Sequence, residues 1–249
     1  MTARRALITG ASSGIGTAAA LELARSGAAV WITYTGREAE AARIAQECLA
    51  AGAPEARVSR LDLRDPDSIA ALVAEITDAW GTLHVLINNG GVCPYTGYDD
   101  IDIEEWDFVL ETNARGTFLL TRAALPLLRA ADGDRSVVNL SSIAGQVGAL
   151  QTSIHYAASK GAILAITRSF ARHLASEGIR VNAVTPGPVA SAITNELSPE
   201  GRTKLEAGIP LGSFGQPADV AWIIASLASD RARFITGATY DVNGGVRID

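Results

Sequence analysis

The sequence predicts an α/β fold built on one doubly wound parallel sheet of about seven strands, with helices on both faces. Three observations predict it. Short apolar runs alternate with longer helical patterns along almost the whole chain. The runs are continuously apolar rather than alternating in polarity, as in parallel strands covered on both sides. A glycine-rich segment joins the first run to the first helical pattern.

The expected strands are 6–9, 29–33, 57–61, 83–87, 137–140, 180–184 and 239–242. Expected helices fill 14–26, 37–51, 66–80, 104–130, 155–177 and 217–228. Asp65-Pro66 is a cap followed by proline at the first helical position. Gly27, Gly52, Gly81 and Gly178 fall where four helices should end. No linker or repeat interrupts the pattern, so 1–249 reads as one domain. The segment 186–215 holds four prolines and no strand pattern, and reads as a mobile lid over the strand ends.

Composition narrows the function classes. The 249 residues are 48% hydrophobic and 19% charged, which excludes a disordered chain. The net charge of −6 argues against a nucleic-acid footprint and against adhesion to an anionic membrane. Cys48 and Cys93 are too few for a disulfide framework, and His84, His155 and His173 lack metal-ligand spacing, so no metal is expected. The longest uncharged stretch, 136–159, is rich in serine and amide side chains and is no membrane span. The chain opens without the apolar run of a secretion signal, and a cytoplasmic location is expected.

The segment after the first strand is Thr9-Gly10-Ala11-Ser12-Ser13-Gly14-Ile15-Gly16. Glycines there let the backbone approach a diphosphate, and a following helix offers free N–H groups and its positive end. Further along stand Leu61-Asp62-Leu63, Asn88-Asn89-Gly90-Gly91, Asn113, Ser141-Ser142 and Tyr156-Ala157-Ala158-Ser159-Lys160. Tyr156 and Lys160, four apart on a helix, share a face. In an open α/β sheet, ligands bind beyond the carboxyl ends of strands, where these segments fall.

A tyrosine beside a lysine can donate a proton if its acidity is raised. A free tyrosine titrates near ~10, and bringing it to ~7 requires roughly 4 kcal/mol of phenolate stabilisation. A cation about 4 Å away at an effective dielectric near 20 supplies that order of energy. Lys160 is one candidate cation, and burial pushes the phenol the other way, so a cation is essential. Both Ser141 and Ser142 offer a hydroxyl to the same site.

Together these motifs resemble the short-chain dehydrogenase/reductase superfamily, a Rossmann-type family, over almost the whole chain. The resemblance implies a catalytic set of Asn113, Ser142, Tyr156 and Lys160, with Ser142 favoured over Ser141. It implies that Lys160 also holds the nicotinamide ribose and that Asn113 anchors a proton relay. Cofactor contacts are implied for Gly10, Ser12, Ser13, Gly14, Ile15, Gly16, Tyr34, Thr35, Arg37, Asp62, Leu63, Asn89, Gly90, Gly91, Tyr156, Lys160, Pro186, Gly187, Val189 and Ser191. Gly90 stands where relatives usually carry alanine.

Relatives preferring NAD carry Asp at the end of the second strand, where this chain has Tyr34, with Arg37 nearby to receive a phosphate. NADP(H) is therefore expected, with NAD(H) as the alternative. Glu38 complicates that reading. The pattern is nearest to bacterial 3-oxoacyl-[acyl-carrier-protein] reductases. That implies a ketone substrate, carried or free, a carrier patch at Arg129 and Arg172, and a homotetramer. Sugars, polyketides and other small ketones are the alternative substrates, and a non-catalytic dinucleotide sensor the remaining class. Cys93, Tyr95, Ile143, Gln146, Val147, Leu150 and Phe214 are candidate pocket residues, and His155 reads as structural or substrate-lining.

Overall fold

The computed structural model describes residues 3–149, 152–190 and 198–248. Seven parallel strands form one sheet in the order β3-β2-β1-β4-β5-β6-β7. They are β1 (Arg5–Ile8), β2 (Ala29–Tyr34), β3 (Ala56–Arg60), β4 (Val85–Asn88), β5 (Arg135–Leu140), β6 (Ile179–Pro186) and β7 (Thr239–Val242). The order reverses between β1 and β4, which opens a crevice at their carboxyl ends.

Alternate side chains of the central strands feed two cores. Ala6, Ile8, Val30, Ile32, Val85, Ile87 and Val138 pack beneath α1 (Gly14–Arg25), α2 (Glu38–Ala50) and one later helix, Pro217–Ala228. Leu7, Trp31, Leu86, Val137 and Val181 face the other way, toward α3 (Pro66–Trp80), α5 (Gly116–Arg129) and α7 (Ile154–Leu174). Between α3 and α5 lies α4 (Ile103–Leu110), and α6 (Ala144–Val147) precedes α7. Next come α8 (Pro199–Glu206) and α9, the helix Pro217–Ala228. Fully buried Leu7, Ile8, Ile32, Leu86 and Ile87 lie on β1, β2 and β4, at the middle of the sheet.

Local chemistry sets the boundaries. The Asp65 carboxylate accepts from the Asp67 N–H at 2.9 Å, with Pro66 in the first turn of α3. Gly81 (φ 67°) and Gly178 (φ 70°) take the left-handed conformation that stops α3 and the turn after α7.

Three expectations need correction, and two short helices were not expected. The single helix 104–130 is broken, because Glu111–Arg115 forms a π turn between α4 and α5. The 155–177 helix ends at Leu174 and continues as a 3-10 turn. The edge strands β3 and β7 are not buried on both faces, since an edge has one uncovered side. The short helices α6 and α8 carry too few residues for a periodic signal.

Candidate active site

At the end of β1, the chain turns through the glycine segment into α1. A Cβ on Gly16 would sit 2.5 Å from the Gly10 carbonyl oxygen, and one on Gly10 would sit 2.8 Å from the Gly90 Cα. Only glycine permits this approach. Ser13 is the N-cap of α1 but its side chain caps nothing, and the first turn holds no acid. The first N–H groups of α1 therefore face outward as an anion cradle. Ser12 is half-buried, and Ile15 lines the neighbouring cavity.

The segment after β4 is stitched to this cradle. The Asn89 amide donates to the carbonyls of Thr9 (2.9 Å) and Gly10 (3.1 Å). The Thr9 hydroxyl oxygen accepts from the Asn89 and Gly90 N–H groups at 3.0 and 2.8 Å. Alanine at position 90 would bring a Cβ within 3.1 Å of both Leu63 Cδ1 and the Thr9 hydroxyl. Gly90 thus relieves crowding at this point.

The ends of β2 and β3 form the outer part of the cleft. Tyr34 is half-buried, and its phenol is held above the usual range by burial and by Glu38, against the opposing charge of Arg60. Thr35 donates its hydroxyl to Leu61 O at 3.1 Å. Arg37 is exposed and forms no ion pair among the described residues. Arg60, which the sequence reading did not single out, donates to Thr35 O at 3.3 Å. Burial raises the Asp62 carboxyl, but the Arg64 backbone N–H, side chain and charge outweigh it and hold the group low. Leu63 is buried and packs against Gly90 and Gly116, so its side chain belongs to the core.

Asn113 sits within the π turn, fully buried. Its Oδ1 accepts from Val92 N–H (2.8 Å), and its Nδ2 donates to Val92 O (2.9 Å) and Ser159 Oγ (3.0 Å). It therefore ties the post-β4 segment to α7 one residue before Lys160. A π turn is uncommon in a helix, and these bonds offset its cost. A Cβ on Gly91 would meet Asn113 Oδ1 at 2.8 Å and Lys160 Nζ at 3.7 Å, so this glycine fills the space between the two.

Tyr156 and Lys160 lie on the first turns of α7. Gly145 lets α6 press against them, since a Cβ there would fall 2.5 Å from the Lys160 carbonyl carbon. The two serines have different partners. Ser141 donates its hydroxyl to Lys160 O at 2.7 Å, which makes it a brace. Ser142 Oγ accepts from the Ala144 N–H at 3.1 Å and is hydrogen-bonded to the Tyr156 phenol. Lys160 Nζ donates to Leu140 O at 2.8 Å and stands 5.7 Å from the Tyr156 ring centre.

Burial raises the Tyr156 phenol well above its usual value, Cys93 adds to the rise, and the Ser142 hydrogen bond opposes it. Burial also lowers the Lys160 ammonium to about 8. The direction is the one that burial dictates for a desolvated phenol. A protonated phenol beside a largely charged ammonium is nonetheless a proton donor toward an alkoxide, which is a stronger base than phenolate.

The carboxyl ends of β4, β5 and β6 enclose a cavity of about 750 Å³. Ser142, Tyr156, Lys160, Asn89, Gly91, Pro186, Gly187 and Val189 all line it. Gly187 is pinned by its N–H to Val242 O (2.9 Å), and a Cβ there would meet Asn243 at 2.7 Å. Val189 bridges to Gly215, and Leu205, Gly208, Ile209 and Phe214 close the far wall. Of the expected pocket residues, Cys93, Tyr95, Ile143 and Phe214 line the cavity. Gln146 instead donates to Asp241 Oδ1 at 2.9 Å, and Val147 is exposed. Ser191 and Leu150 lie outside the described residues. His155 is buried, stacked by Trp106 and in contact with Glu105, so it is structural rather than lining. Thr152, which the sequence reading did not name, lines the cavity with an unpartnered hydroxyl.

Comparison with known proteins agrees with this geometry. Residues 10–247 match a family described as Enoyl-(Acyl carrier protein) reductase. The chain is 40% identical over 244 residues to the 3-oxoacyl-[acyl-carrier-protein] reductase FabG of Staphylococcus aureus (strain Mu50), covering 98% of both chains. It is 39% identical to the L-rhamnose 1-dehydrogenase (NAD(P)(+)) of Azotobacter vinelandii, covering 98% of this chain and 96% of that one. It is 36% identical to a 3-oxoacyl-[acyl-carrier-protein] reductase of Synechocystis, covering 99% and 98%. With its parallel sheet, glycine cradle and shared Ser–Tyr–Lys cavity, the chain belongs to the short-chain dehydrogenase/reductase superfamily, and is an oxidoreductase of CH–OH and C=O groups.

Proposed function

We propose that the protein reduces a ketone to a secondary alcohol with NADPH, the ketone being of the 3-oxoacyl thioester type. The observation that carries this is the convergence of Ser142, Tyr156 and Lys160 on one cavity at the strand ends. The nicotinamide, when bound, supplies the hydride. Ser142 and Tyr156 hold the carbonyl oxygen by hydrogen bonds, and Tyr156 gives it the proton as charge develops there. Lys160 supports the phenol electrostatically and holds the cofactor ribose. Asn113 positions α7 and the post-β4 segment. The mainly apolar wall suits a hydrocarbon body, and the 186–215 segment serves as lid.

The cofactor cradle fits a dinucleotide: Gly10 and Gly16 permit the close approach, and α1 presents free N–H groups. Arg37 at the β2 end, with Arg60 beside Thr35, supports a 2′-phosphate. NAD(H) is the second reading for the cofactor, since Glu38 stands beside Tyr34. A sugar alcohol is the second reading for the substrate, favoured by the similarity to a rhamnose dehydrogenase. Exposed Trp222 and Phe234 support a homotetramer, which light scattering would report as four times 25.9 kDa.

A screen of 3-oxoacyl thioesters, simple ketones and sugars with each cofactor tests the proposal. We expect ketone-dependent NADPH oxidation with higher kcat/KM than for NADH. Equal efficiency would overturn the cofactor preference, and no turnover of any ketone would overturn the reaction.

A further inference from the structure

One wall of the cavity is a loop without regular structure. Val92, Cys93 and Tyr95 line the cavity, and the chain from Asn89 to Gly97 forms neither helix nor strand. Such a segment keeps its position only through bonds to its neighbours. The wall also touches the proton donor, since the Cys93 thiol is in hydrogen-bond contact with the phenols of Tyr95 and Tyr156.

Three ties hold the wall, and each reaches a different element. Asn113 in the π turn holds Val92 through both atoms of its amide. Ser153, the N-cap of α7, donates its hydroxyl to Pro94 O at 2.7 Å. Thr96 donates its hydroxyl to Oε1 of Glu105, on α4, at 2.5 Å.

The third tie continues into α7. The same Glu105 Oε1 lies 3.3 Å from Nε2 of His155. A carboxylate oxygen accepts, so Nε2 carries the ring proton and donates it. His155 is fully buried, with Trp106 stacked on it at 6.3 Å, and its Nδ1 has no partner. Glu105 is therefore the one hydrogen-bond anchor of this ring among the described residues. His155 and Tyr156 are consecutive on α7, so their side chains leave the helix about 100° apart. The first meets α4 and the second meets the cavity. Glu105 itself does not line the cavity.

We propose that Glu105 is a positioning residue: by accepting from Thr96 and His155 at once, it fixes the Val92–Thr96 wall relative to Tyr156 and so sets the fit of the substrate. The proposal rests on the reading of Tyr156 as proton donor and does not depend on which ketone is used.

The test compares Glu105→Leu with Glu105→Gln, which keeps an acceptor oxygen for both donors. Two quantities are measured: steady-state kinetics of ketone reduction, and the rate at which iodoacetamide alkylates Cys93, located by peptide mass spectrometry. The thiolate displaces iodide, so the rate follows access to the thiol. Cys48 is fully buried and its thiol is pushed up to about 11, so it does not compete. Glu105→Leu should raise KM for the ketone about tenfold and leave kcat within about threefold, because a loosened wall misplaces the substrate. NADPH binding should be unchanged, since the bonds of Asn89 and Asn113 remain. Alkylation of Cys93 should quicken about fivefold as the loop opens locally. Glu105→Gln should restore both quantities. Thr96→Val cuts only the link to the wall and should shift both in the same direction by less. An unchanged KM or alkylation rate in Glu105→Leu, or equal losses in Glu105→Leu and Glu105→Gln, would overturn the proposal. If Glu105→Leu does not fold, Thr96→Val decides it by the same two quantities. An unaltered protein that reduces no ketone would overturn the ketone-reductase reading instead, and the alkylation rates would still decide the role of Glu105.

Discussion

Two buried cations sit at opposite ends of the sheet, and their surroundings differ. Arg180, at the amino end of β6, chelates both oxygens of Asp134 at 2.8 Å and donates to the carbonyls of Leu227, Ser229 and Ile235. Lys160, near the carboxyl end of β5, has one hydrogen bond, to Leu140 O, and no carboxylate partner among the described residues. Arg180 has its charge neutralised and its donors used. Lys160 is left with an ammonium whose pKa has fallen to about 8 and which borders a 750 Å³ cavity. A buried charge that is fully partnered holds the fold, while one left under-partnered beside a cavity is available for chemistry.

The largest effect should come from the group beside the under-partnered cation. Tyr156→Phe removes the proton donor and should lower kcat by about 10³-fold, with NADPH binding by fluorescence unchanged. Next is the serine pair, which sharpens the division within one end. Ser142→Ala should cost about 10²-fold in kcat, whereas Ser141→Ala, which removes the brace to Lys160 O, should cost less than tenfold. Steady-state kinetics of the two variants check this, and an inverted order would break the assignment. The smallest effect is that of pH. Lys160 loses its proton as pH rises through about 8, while the raised phenol of Tyr156 stays protonated. Reductive kcat/KM should therefore fall on a single limb near pH 8, and a limb centred below 7 would contradict the Lys160 assignment.

The central sheet and the catalytic end were legible in the sequence because continuous apolar runs and the Tyr156/Lys160 spacing are local signals. β7 and the helices at 66–80 and 217–228 appear with the expected bounds. A kink or polar network at Asn113 was legible because asparagine is a mediocre helix former, but its π form was not, since it arises from the bonds of Asn113 to Val92 and Ser159, 21 and 46 residues away. The residues alone left Ser141 and Ser142 open, the resemblance favoured Ser142, and the structure separates them where α6 docks on α7 through Gly145. Gln146 looked like a pocket residue by its position, but Asp241, 95 residues on, draws it away. That burial opposes an acidic Tyr156 follows from the residue type, but its size was not legible, because desolvation depends on burial by distant elements.

The most direct measurement sets the two cations against each other in matched variants, Lys160→Met and Arg180→Met, recording ketone reduction and thermal unfolding for both. Lys160→Met should lose about 10²-fold or more in kcat with Tm unchanged or raised, because an under-partnered buried charge has been removed. Arg180→Met should leave Asp134 paired with Arg4 alone and the carbonyls of Leu227 and Ser229 without this donor, and lose about 1–3 kcal/mol of stability, with kcat per folded molecule near that of the unaltered protein. Full activity in Lys160→Met, or an unaffected Tm in Arg180→Met, would contradict the division of roles between the two ends of the sheet.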